Sequence, residues 1–211
     1  MRYPIRAVHF QLTGRCNLAC RFCGQSKGML ACEGGELPVE FWVRCAGETE
    51  PGAAITFWGG EPLLYPGFEE LAARLSGSGH PFDIVTNGTL IPRHAETLCR
   101  DFDRIFVSVD GPRELHDAVR GKGVFDRVKA ALPLLDGRRG KLIFLTTVSD
   151  ANVERMPTMQ FRCADGQLRQ NELFFQYSKP DAGRHPGKAL NAGDVGYFCR
   201  FSHVDSQEKQ P

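Results

Sequence analysis

Hydrophobic and polar residues alternate near the start of the chain, where Val8, Phe10 and Leu12 fall on one side of the stretch over residues 7–13. Alternation with a period of two is typical of a β-strand. Gly14 follows this stretch and favours a loop. The pattern therefore predicts a first strand that runs directly into a loop.

Other segments have hydrophobic residues three and four positions apart, which is the spacing of an amphipathic helix. One such helix carries its hydrophobic residues at Phe68, Leu71, Ala72 and Leu75. A second helix is predicted from near Pro38, with Phe41, Trp42 and Cys45 on one face. Two more are predicted over Pro92 to Asp101 and over Val124 to Leu135. Short hydrophobic runs between the helices predict further strands, with the sequences AITFW, FDIVT, RIFVSV, KLIFLTTV and ELFFQY.

Strands separated by helix-length segments are typical of a parallel sheet. Six strands are predicted, several of them rich in Val, Ile and Phe, which indicates a sheet buried on both faces by helices. A closed eight-stranded barrel usually takes about 250 residues, so 211 residues suggest either a doubly wound sheet or a partial barrel. We expect an α/β fold with a partial (β/α)6 barrel of parallel strands.

The C-terminal part of the chain has the weakest pattern. One short helix is expected around residues 151–171, and the residues after Tyr177 are rich in Gly and Pro, which favours loop. We therefore expect a core over residues 1–178 and a loop-rich tail over residues 179–211.

The charges of the chain nearly cancel. Its 26 basic and 25 acidic side chains give a net charge of +1 at pH 7, without a run of like charges. This balance predicts neither nucleic acid nor an anionic membrane as a partner. Nowhere are 18 consecutive residues apolar, and the N-terminus does not resemble a signal peptide, so we expect no membrane partner and a cytoplasmic location.

Three of the eight cysteines lie close together on the loop after the first strand, at Cys16, Cys20 and Cys23. Their spacing, C-x3-C-x2-C, suits a four-iron cluster in which three cysteines leave one iron open to a further ligand. A zinc site that braces the loop is the alternative, although no second C-x-x-C or H-x3-5-H motif occurs. The remaining cysteines are scattered, and we expect them to be small buried hydrophobic residues: Cys32, Cys45, Cys99, Cys163 and Cys199.

Polar motifs follow the next strands, and in a parallel sheet the loops after the strands open on one edge, where ligands bind. In the WGGEP motif, Gly59 and Gly60 would let the backbone approach a ligand closely and, with Glu61, meet an ammonium group. In the SVDG motif, Ser108 and Asp110 are two positions apart and could bind a pair of ribose hydroxyls. Together these groups suit an aminoacyl nucleoside.

The motifs CNLACRFC, FWGGEP, TNG, SVDGP and HDAVRG, in this order, resemble those of the radical S-adenosylmethionine (radical SAM) superfamily. The resemblance is closest to its SPASM and molybdenum-cofactor-synthesis branch and covers nearly the whole of Val8 to Tyr177. It implies that the cofactors are a [4Fe–4S] cluster and S-adenosylmethionine (SAM), bound at the C-terminal edge of the sheet.

The resemblance also implies roles for single residues. Cys16, Cys20 and Cys23 would each ligate one iron, and SAM would bind the fourth. The implied SAM contacts are Phe22 with the adenine, Gly59, Gly60 and Glu61 with the ammonium group, Ser108 and Asp110 with the ribose, and Arg120 with the carboxylate. Weaker candidates for the wall of the site are Asn87, which is equally typical of an Asn-Gly turn, and the backbone near Gln176. His116, beside Asp117, is either an acid–base group or an ordinary loop histidine.

The implied reaction begins when an electron from reduced flavodoxin or ferredoxin enters the cluster. SAM is then cleaved reductively to a 5′-deoxyadenosyl radical, which abstracts a hydrogen from the substrate. We expect a peptide or protein substrate, with a small molecule or a cofactor precursor as the alternative. A non-catalytic metal-binding module is the alternative of a different class. The chain is either a short single-cluster member or the stub of a longer one, with Cys199 then the first ligand of a missing module.

Overall fold

The protein is described by a computed structural model, which covers residues 5–25, 35–135, 141–148, 152 and 171–175. Six strands form one sheet: β1 (Ala7–Thr13), β2 (Ala54–Gly59), β3 (Phe82–Thr86), β4 (Arg104–Ser108), β5 (Lys141–Val148) and β6 (Asn171–Phe175). Five helices connect them: α1 (Val39–Gly47), α2 (Phe68–Leu75), α3 (Ile91–Asp101), α4 (Arg113–Arg120) and α5 (Val124–Ala131). The predicted strands and four of these helices are confirmed.

The strands lie in the order in which they occur in the chain, and each is parallel to its neighbour. A doubly wound sheet would reverse this order at a switch point. The sequential order is that of a (β/α) barrel, so the expected α/β fold of partial-barrel type is confirmed and the doubly wound alternative is wrong.

The two faces of the sheet differ in chemistry, as its register shows. One row across five strands is entirely apolar and buried: Phe10, Phe57, Ile84, Ile105 and Leu142. This row joins the hydrophobic core formed with helices α1, α2, α3 and α5. The adjacent row, which belongs to the opposite face, includes His9, Thr56, Asp83 and Arg104.

The expectation that helices bury both faces is therefore wrong for the described residues. Successive side chains of a strand point to opposite faces, and the strand residues in the core come from one of them. The other face carries polar groups, as is usual for the interior of a barrel that binds a ligand at its end.

Helix α4 was not among the predicted elements, because polar residues occupy two of its three buried positions. His116, Val119 and Arg120 are its buried residues, spaced three and four positions apart. A pattern search for hydrophobic residues overlooks such a helix, since two of these three side chains are ionisable.

Several predictions fall outside the described residues: the short helix around 151–171, the loop-rich tail over 179–211 and the role of Gln176. The boundary between a core over 1–178 and a tail stays a prediction. Among the helices that the structure describes, none has the length and apolar character needed to cross a membrane.

Candidate active site

The cysteine loop, residues 14–25, follows β1 at the carboxyl edge of the sheet. None of its three cysteines is in a disulfide: Cys16 is exposed, Cys20 is buried and Cys23 is half-buried. The amide of Cys23 donates a hydrogen bond of 3.1 Å to the carbonyl of Cys20, which closes a turn between them. The amide of Leu18 lies 3.4 Å from the sulfur of Cys16. The backbone thus folds around the thiols.

The electrostatic environment of Cys16 and Cys20 favours their protonated form. Burial raises the pKa of Cys20 to about 11, although the positive charge of Arg120 opposes this rise. The pKa of Cys16 is raised as well: although the residue as a whole is exposed, desolvation of its thiol by neighbouring groups is the main cause, and Glu61 and Cys23 add to it. Thiolate ligands at this site therefore require a cation, and metal binding would replace the thiol protons.

The donor set fits an iron–sulfur cluster. Cys16 and Cys23 both act on the charge of Cys20, and Cys23 acts on that of Cys16, so the three sulfurs share one region of the loop. Among the described residues, no three Cys, His, Asp or Glu side chains are arranged to hold a single metal ion. In a cubane each iron takes its own thiolate, so its ligands do not need to meet at one point.

The glycines of the WGGEP motif bring the loop after β2 against the cysteine loop. Gly59 has φ of 141°, and a Cβ atom there would lie 2.4 Å from the carbonyl oxygen of Thr13. A Cβ atom on Gly60 would lie 2.1 Å from the carbonyl oxygen of Arg15. The amides of Gly60 and Glu61 donate hydrogen bonds of 2.9 and 2.8 Å to these same two carbonyls. The sequence predicts that these glycines let the backbone approach a ligand closely. In the structure they let the loop after β2 approach the end of β1 and the cysteine loop.

The side chain of Glu61 corrects the sequence interpretation. It is completely buried and does not lie open at the sheet edge for an ammonium group. Its carboxylate accepts hydrogen bonds from the hydroxyl of Thr86 at 2.7 Å, the amide of Asn87 at 2.8 Å and the amide of Leu63 at 3.2 Å. Burial raises the pKa of Glu61 to about 7. The carboxylate ties the loop after β2 to the loop after β3.

Asn87 continues this connection to the cysteine loop. Its side-chain amide donates to Asn17 at 2.9 Å and lies 3.9 Å from the sulfur of Cys16. Its side-chain oxygen accepts from the amide and the hydroxyl of Thr89 at 3.0 and 2.6 Å. Asn87 is therefore both part of a turn and a neighbour of a cysteine, whereas the sequence treated these as alternatives.

Ser108 and Asp110 lie at the end of β4, and both are buried. The carboxylate of Asp110 forms a two-pronged ion pair with Arg120, in which Nη2 and Oδ1 are 3.2 Å apart. The amide of Thr147 donates to the same carboxylate at 2.9 Å. Arg120 is 8% exposed, and its guanidinium carbon lies 5.4 Å from the centre of the Phe22 ring.

These contacts differ from the assigned ones. The resemblance implies that Asp110 contacts a ribose and that Arg120 contacts a carboxylate of SAM. In the structure the two residues pair with each other. The structure does place Phe22, Arg120 and Asp110 together beside Cys20. The SAM contacts of these residues stay predictions.

The sequence interpretation favoured an ordinary loop histidine at position 116, and this is wrong. His116 lies in α4, is fully buried, and its Nδ1 accepts a hydrogen bond of 3.2 Å from the amide of Asp110. Burial lowers the pKa of His116 to about 4, so the ring is neutral at physiological pH. It supports the turn between β4 and α4.

Two of the scattered cysteines, Cys45 and Cys99, pack against the hydrophobic core as expected. The other three, Cys32, Cys163 and Cys199, lie outside the described residues. Sequence reasoning missed Asn17, Thr86 and Thr147 as part of the site. The position of each next to a recognised motif or strand end is the signal that could have indicated them.

The profile of the radical SAM superfamily matches residues 10–161. This is more than half of the chain, and it includes every residue of the predicted site except Gln176. The chain belongs to the radical SAM superfamily. Members of this superfamily are enzymes that use a [4Fe–4S] cluster and SAM, so the suspected resemblance and both expected cofactors are confirmed.

Two curated radical SAM relatives illustrate the range of the match. The chain is 30% identical over 160 residues to the sporulation killing factor maturation protein SkfB of Bacillus subtilis, with 74% of this chain and 38% of the relative covered. It is 34% identical over 140 residues to the GTP 3′,8-cyclase of Pelotomaculum thermopropionicum, with 61% and 43% covered. The chain thus spans about two fifths of the length of these relatives.

The crystal structure of Streptococcus suis SuiB bound to SAM has a similar fold. The TM-score is 0.65 at 17% identity, over 85% of this chain and 42% of SuiB. These proteins agree with the SPASM-like and molybdenum-cofactor-synthesis-like branch that the motifs indicate.

Proposed function

We propose that this radical SAM enzyme cleaves SAM reductively and removes a hydrogen atom from a peptide or protein. The proposal rests on one observation: the loop that carries Cys16, Cys20 and Cys23 lies against the loop after β2, where the amide of Glu61 donates to the carbonyl of Arg15, and its Phe22 lies against Arg120 of the Asp110–Arg120 pair. This arrangement supports a cluster and its ligand at one edge of the sheet.

The cluster and SAM, when bound, supply the electron and the 5′-deoxyadenosyl radical. The chain's own residues bind and orient them. Cys16, Cys20 and Cys23 would hold three irons, and their loop is fixed by Glu61 through Asn87.

The loop after β2 would bind the ammonium group through backbone oxygens. An ammonium group donates hydrogen bonds, and the amides of Gly60 and Glu61 are already bonded to Thr13 and Arg15. Carbonyl oxygens of this loop are therefore the suitable partners, and Gly59 and Gly60 leave room for the ligand because they carry no side chain. Glu61 contributes through its backbone.

Phe22, Ser108, Asp110 and Arg120 complete the proposed SAM site. Phe22 would contact the adenine, and the end of β4 would contact the ribose. Both Nε and Nη2 of Arg120 donate to the carboxylate of Asp110. Arg120 could therefore bind the carboxylate of SAM only if it gave up part of this ion pair.

Two relatives favour a peptide or protein substrate. SkfB is named for the maturation of a sporulation killing factor, and SuiB has also been solved with the precursor peptide SuiA. The GTP 3′,8-cyclase favours the alternative, a small molecule. The non-catalytic module is not favoured, since the superfamily consists of enzymes.

Reduced flavodoxin or ferredoxin is the proposed electron donor. A cytoplasmic location is part of the proposal, because cysteines that are to bind iron stay reduced in a reducing compartment.

Anaerobic reconstitution with iron and sulfide tests the reaction class. We expect about four irons per chain and release of 5′-deoxyadenosine from SAM in the presence of dithionite. The Cys20→Ala variant should lose both, whereas Cys45→Ala, which changes a half-buried cysteine of α1, should lose neither. A zinc-bound protein that leaves SAM intact would contradict the proposal.

The substrate class needs a separate experiment. Peptides encoded by short reading frames beside the gene, prepared with deuterium at carbon, would be compared with GTP. Deuterium in 5′-deoxyadenosine and a mass change in one peptide would support peptide modification. Conversion of GTP without any peptide product would favour the small-molecule alternative.

A further inference from the structure

Arg120 connects three parts of the molecule. It is the last residue of α4, and its guanidinium group is held by Asp110, which follows β4 and is 1% exposed. The same group lies over the ring of Phe22, at 5.4 Å from its centre, and Phe22 lies between two of the cysteines. A guanidinium group over an aromatic ring is attracted to it, more strongly where water has little access.

The backbone makes a parallel connection. The amide of Arg21 donates a hydrogen bond of 2.8 Å to the carbonyl of Val119. Consecutive residues of the cysteine loop, Arg21 and Phe22, are thus held by consecutive residues of α4, Val119 and Arg120. The end of α4 is a support for the cysteine loop.

Asp110 fixes the direction in which Arg120 points. The side chain of Asp110 accepts from the amide of Thr147 at 2.9 Å, and its carbonyl accepts from the side chain of Asn152 at 2.9 Å. Its amide is bonded to His116 at 3.2 Å. Since these partners belong to β5, the segment after it and α4, the carboxylate has little freedom to move.

The pair also places two opposite charges beside a predicted cluster ligand. Arg120 lies over the ring of Phe22, two residues from Cys20, and Asp110 is bound to Arg120. Removal of either charge would change the electrostatic potential in this region, because burial weakens screening by water.

We propose that Arg120 is a positioning residue: held by Asp110, it keeps Phe22 and the cysteine loop in place and sets, together with Asp110, the reduction potential of the cluster. The part that concerns the potential rests on the proposed function. The part that concerns the loop does not.

Hydrogen exchange of the metal-free protein tests the loop. We expect the amides of the peptide over residues 16–25 to exchange about tenfold faster in Arg120→Met than in the unchanged protein, with a smaller increase in Arg120→Lys. Arg104→Met is the matched control, because Arg104 forms an equivalent pair with Asp83 at the opposite end of β4. Equal exchange of this peptide in Arg120→Met and Arg104→Met would overturn the proposal.

Redox titration of the reconstituted protein, followed by electron paramagnetic resonance, tests the potential. At a fixed applied potential, the ratio of reduced to oxidised cluster should fall about tenfold in Arg120→Met and rise about tenfold in Asp110→Asn. A factor of ten corresponds to about 59 mV for one electron. In the double variant, Arg120→Met with Asp110→Asn, the ratio of reduced to oxidised cluster should return near that of the unchanged protein. The amides over residues 16–25 should still exchange faster than in the unchanged protein.

The double variant keeps the test decisive if either single variant folds poorly, since it leaves no unpaired charge. Shifts in the same direction in both single variants, or none in any variant, would overturn the electrostatic part. Failure of the unchanged protein to assemble a cluster would instead contradict the proposed function, and the exchange result would stand on its own.

Discussion

The two ends of strand β4 carry the same three kinds of side chain. At its start, Asp83 pairs with Arg104, whose guanidinium carbon lies 5.4 Å from the ring of Phe106. Beyond its end, Asp110 pairs with Arg120 at 5.4 Å from the ring of Phe22. Both carboxylates are 1% exposed, and both arginines bind with two prongs.

The two sets differ in what they connect. Asp83, Arg104 and Phe106 all belong to neighbouring strands, β3 and β4, and the arginine side chain is 32% exposed. Asp110, Arg120 and Phe22 come from three separate segments, and the arginine side chain is 8% exposed. The first set reinforces a strand pair that backbone hydrogen bonds already hold. The second joins segments that are not neighbouring strands of the sheet, and it does so in the cysteine loop, at Phe22.

The same chemistry therefore serves different purposes at the two ends. Both sets lie on the polar face of the sheet, since Asp83, Arg104, Phe106 and Asp110 alternate with core residues. Recognition of an Asp–Arg–Phe set does not by itself identify a functional site. The segments that it joins, and its neighbours, decide its role.

Removal of the acidic partner should show the largest difference between the two ends. Asp110→Ala leaves Arg120 buried without its partner and should lower the free energy of unfolding by about 3–5 kcal/mol. Asp83→Ala should cost about 1–2 kcal/mol, because the partly exposed Arg104 can regain water. Urea denaturation of the metal-free variants measures both, and equal losses would remove the distinction.

Glu61 sharpens the comparison, because this buried carboxylate is bonded to two amides and a hydroxyl rather than to an arginine. Glu61→Gln should cost about 1–3 kcal/mol, since a hydrogen bond is lost. The cost should depend on pH. Burial raises the pKa of Glu61 in the folded state from 4.5 to about 7, so its contribution is complete below pH 4.5 and is lost as the pH rises to about 7.

The substitution should therefore be most costly near pH 4.5 and least costly above pH 7. Denaturation of both proteins at several pH values measures this difference. A cost that does not change with pH would show that Glu61 ionises normally in the folded protein.

His116 should show the opposite dependence on pH. Burial lowers its pKa from 6.5 to about 4, so its contribution to stability is complete above pH 6.5 and is lost as the pH falls towards 4. The stability of His116→Asn relative to the unchanged protein should improve by about 1–2 kcal/mol between pH 7 and 5. His80 provides the control variant, because it is half-buried and its Nδ1 donates to the carbonyl of Ala53 at 2.9 Å, far from the site.

The contacts between arginine and phenylalanine should show the smallest difference. Double-mutant cycles with Phe→Leu and Arg→Met should give a coupling energy of about 1 kcal/mol for Arg120 and Phe22, and about 0.5 kcal/mol for Arg104 and Phe106. The more buried pair should couple more strongly. A larger value at the Arg104 end would reverse the order that burial predicts.

Much of the fold could be predicted from the sequence, because the hydrophobic residues repeat with the periods of strands and helices. Parallel strands also predicted that the cysteines and the WGGEP and SVDG motifs would meet at one edge. Helix α4 escaped because it buries His116 and Arg120, and only the folded chain shows that these side chains have partners.

The candidate site could be predicted in position but not in its internal contacts. The cysteine spacing is local and therefore readable, whereas the pairing of Asp110 with Arg120 depends on how the chain turns between them. The direction of the Glu61 side chain likewise depends on the conformation of Gly59, whose φ of 141° a sequence does not reveal.

The hydrogen bond between Arg21 and Val119 joins residues about 100 positions apart in the chain. Closing so large a loop has an entropic cost that must be met before the contact forms. During synthesis the cysteine loop emerges early, while its support at the end of α4 is made much later. Before that point the cysteine loop lacks its contact with α4. We therefore expect the cluster to assemble only after at least the first 120 residues have left the ribosome.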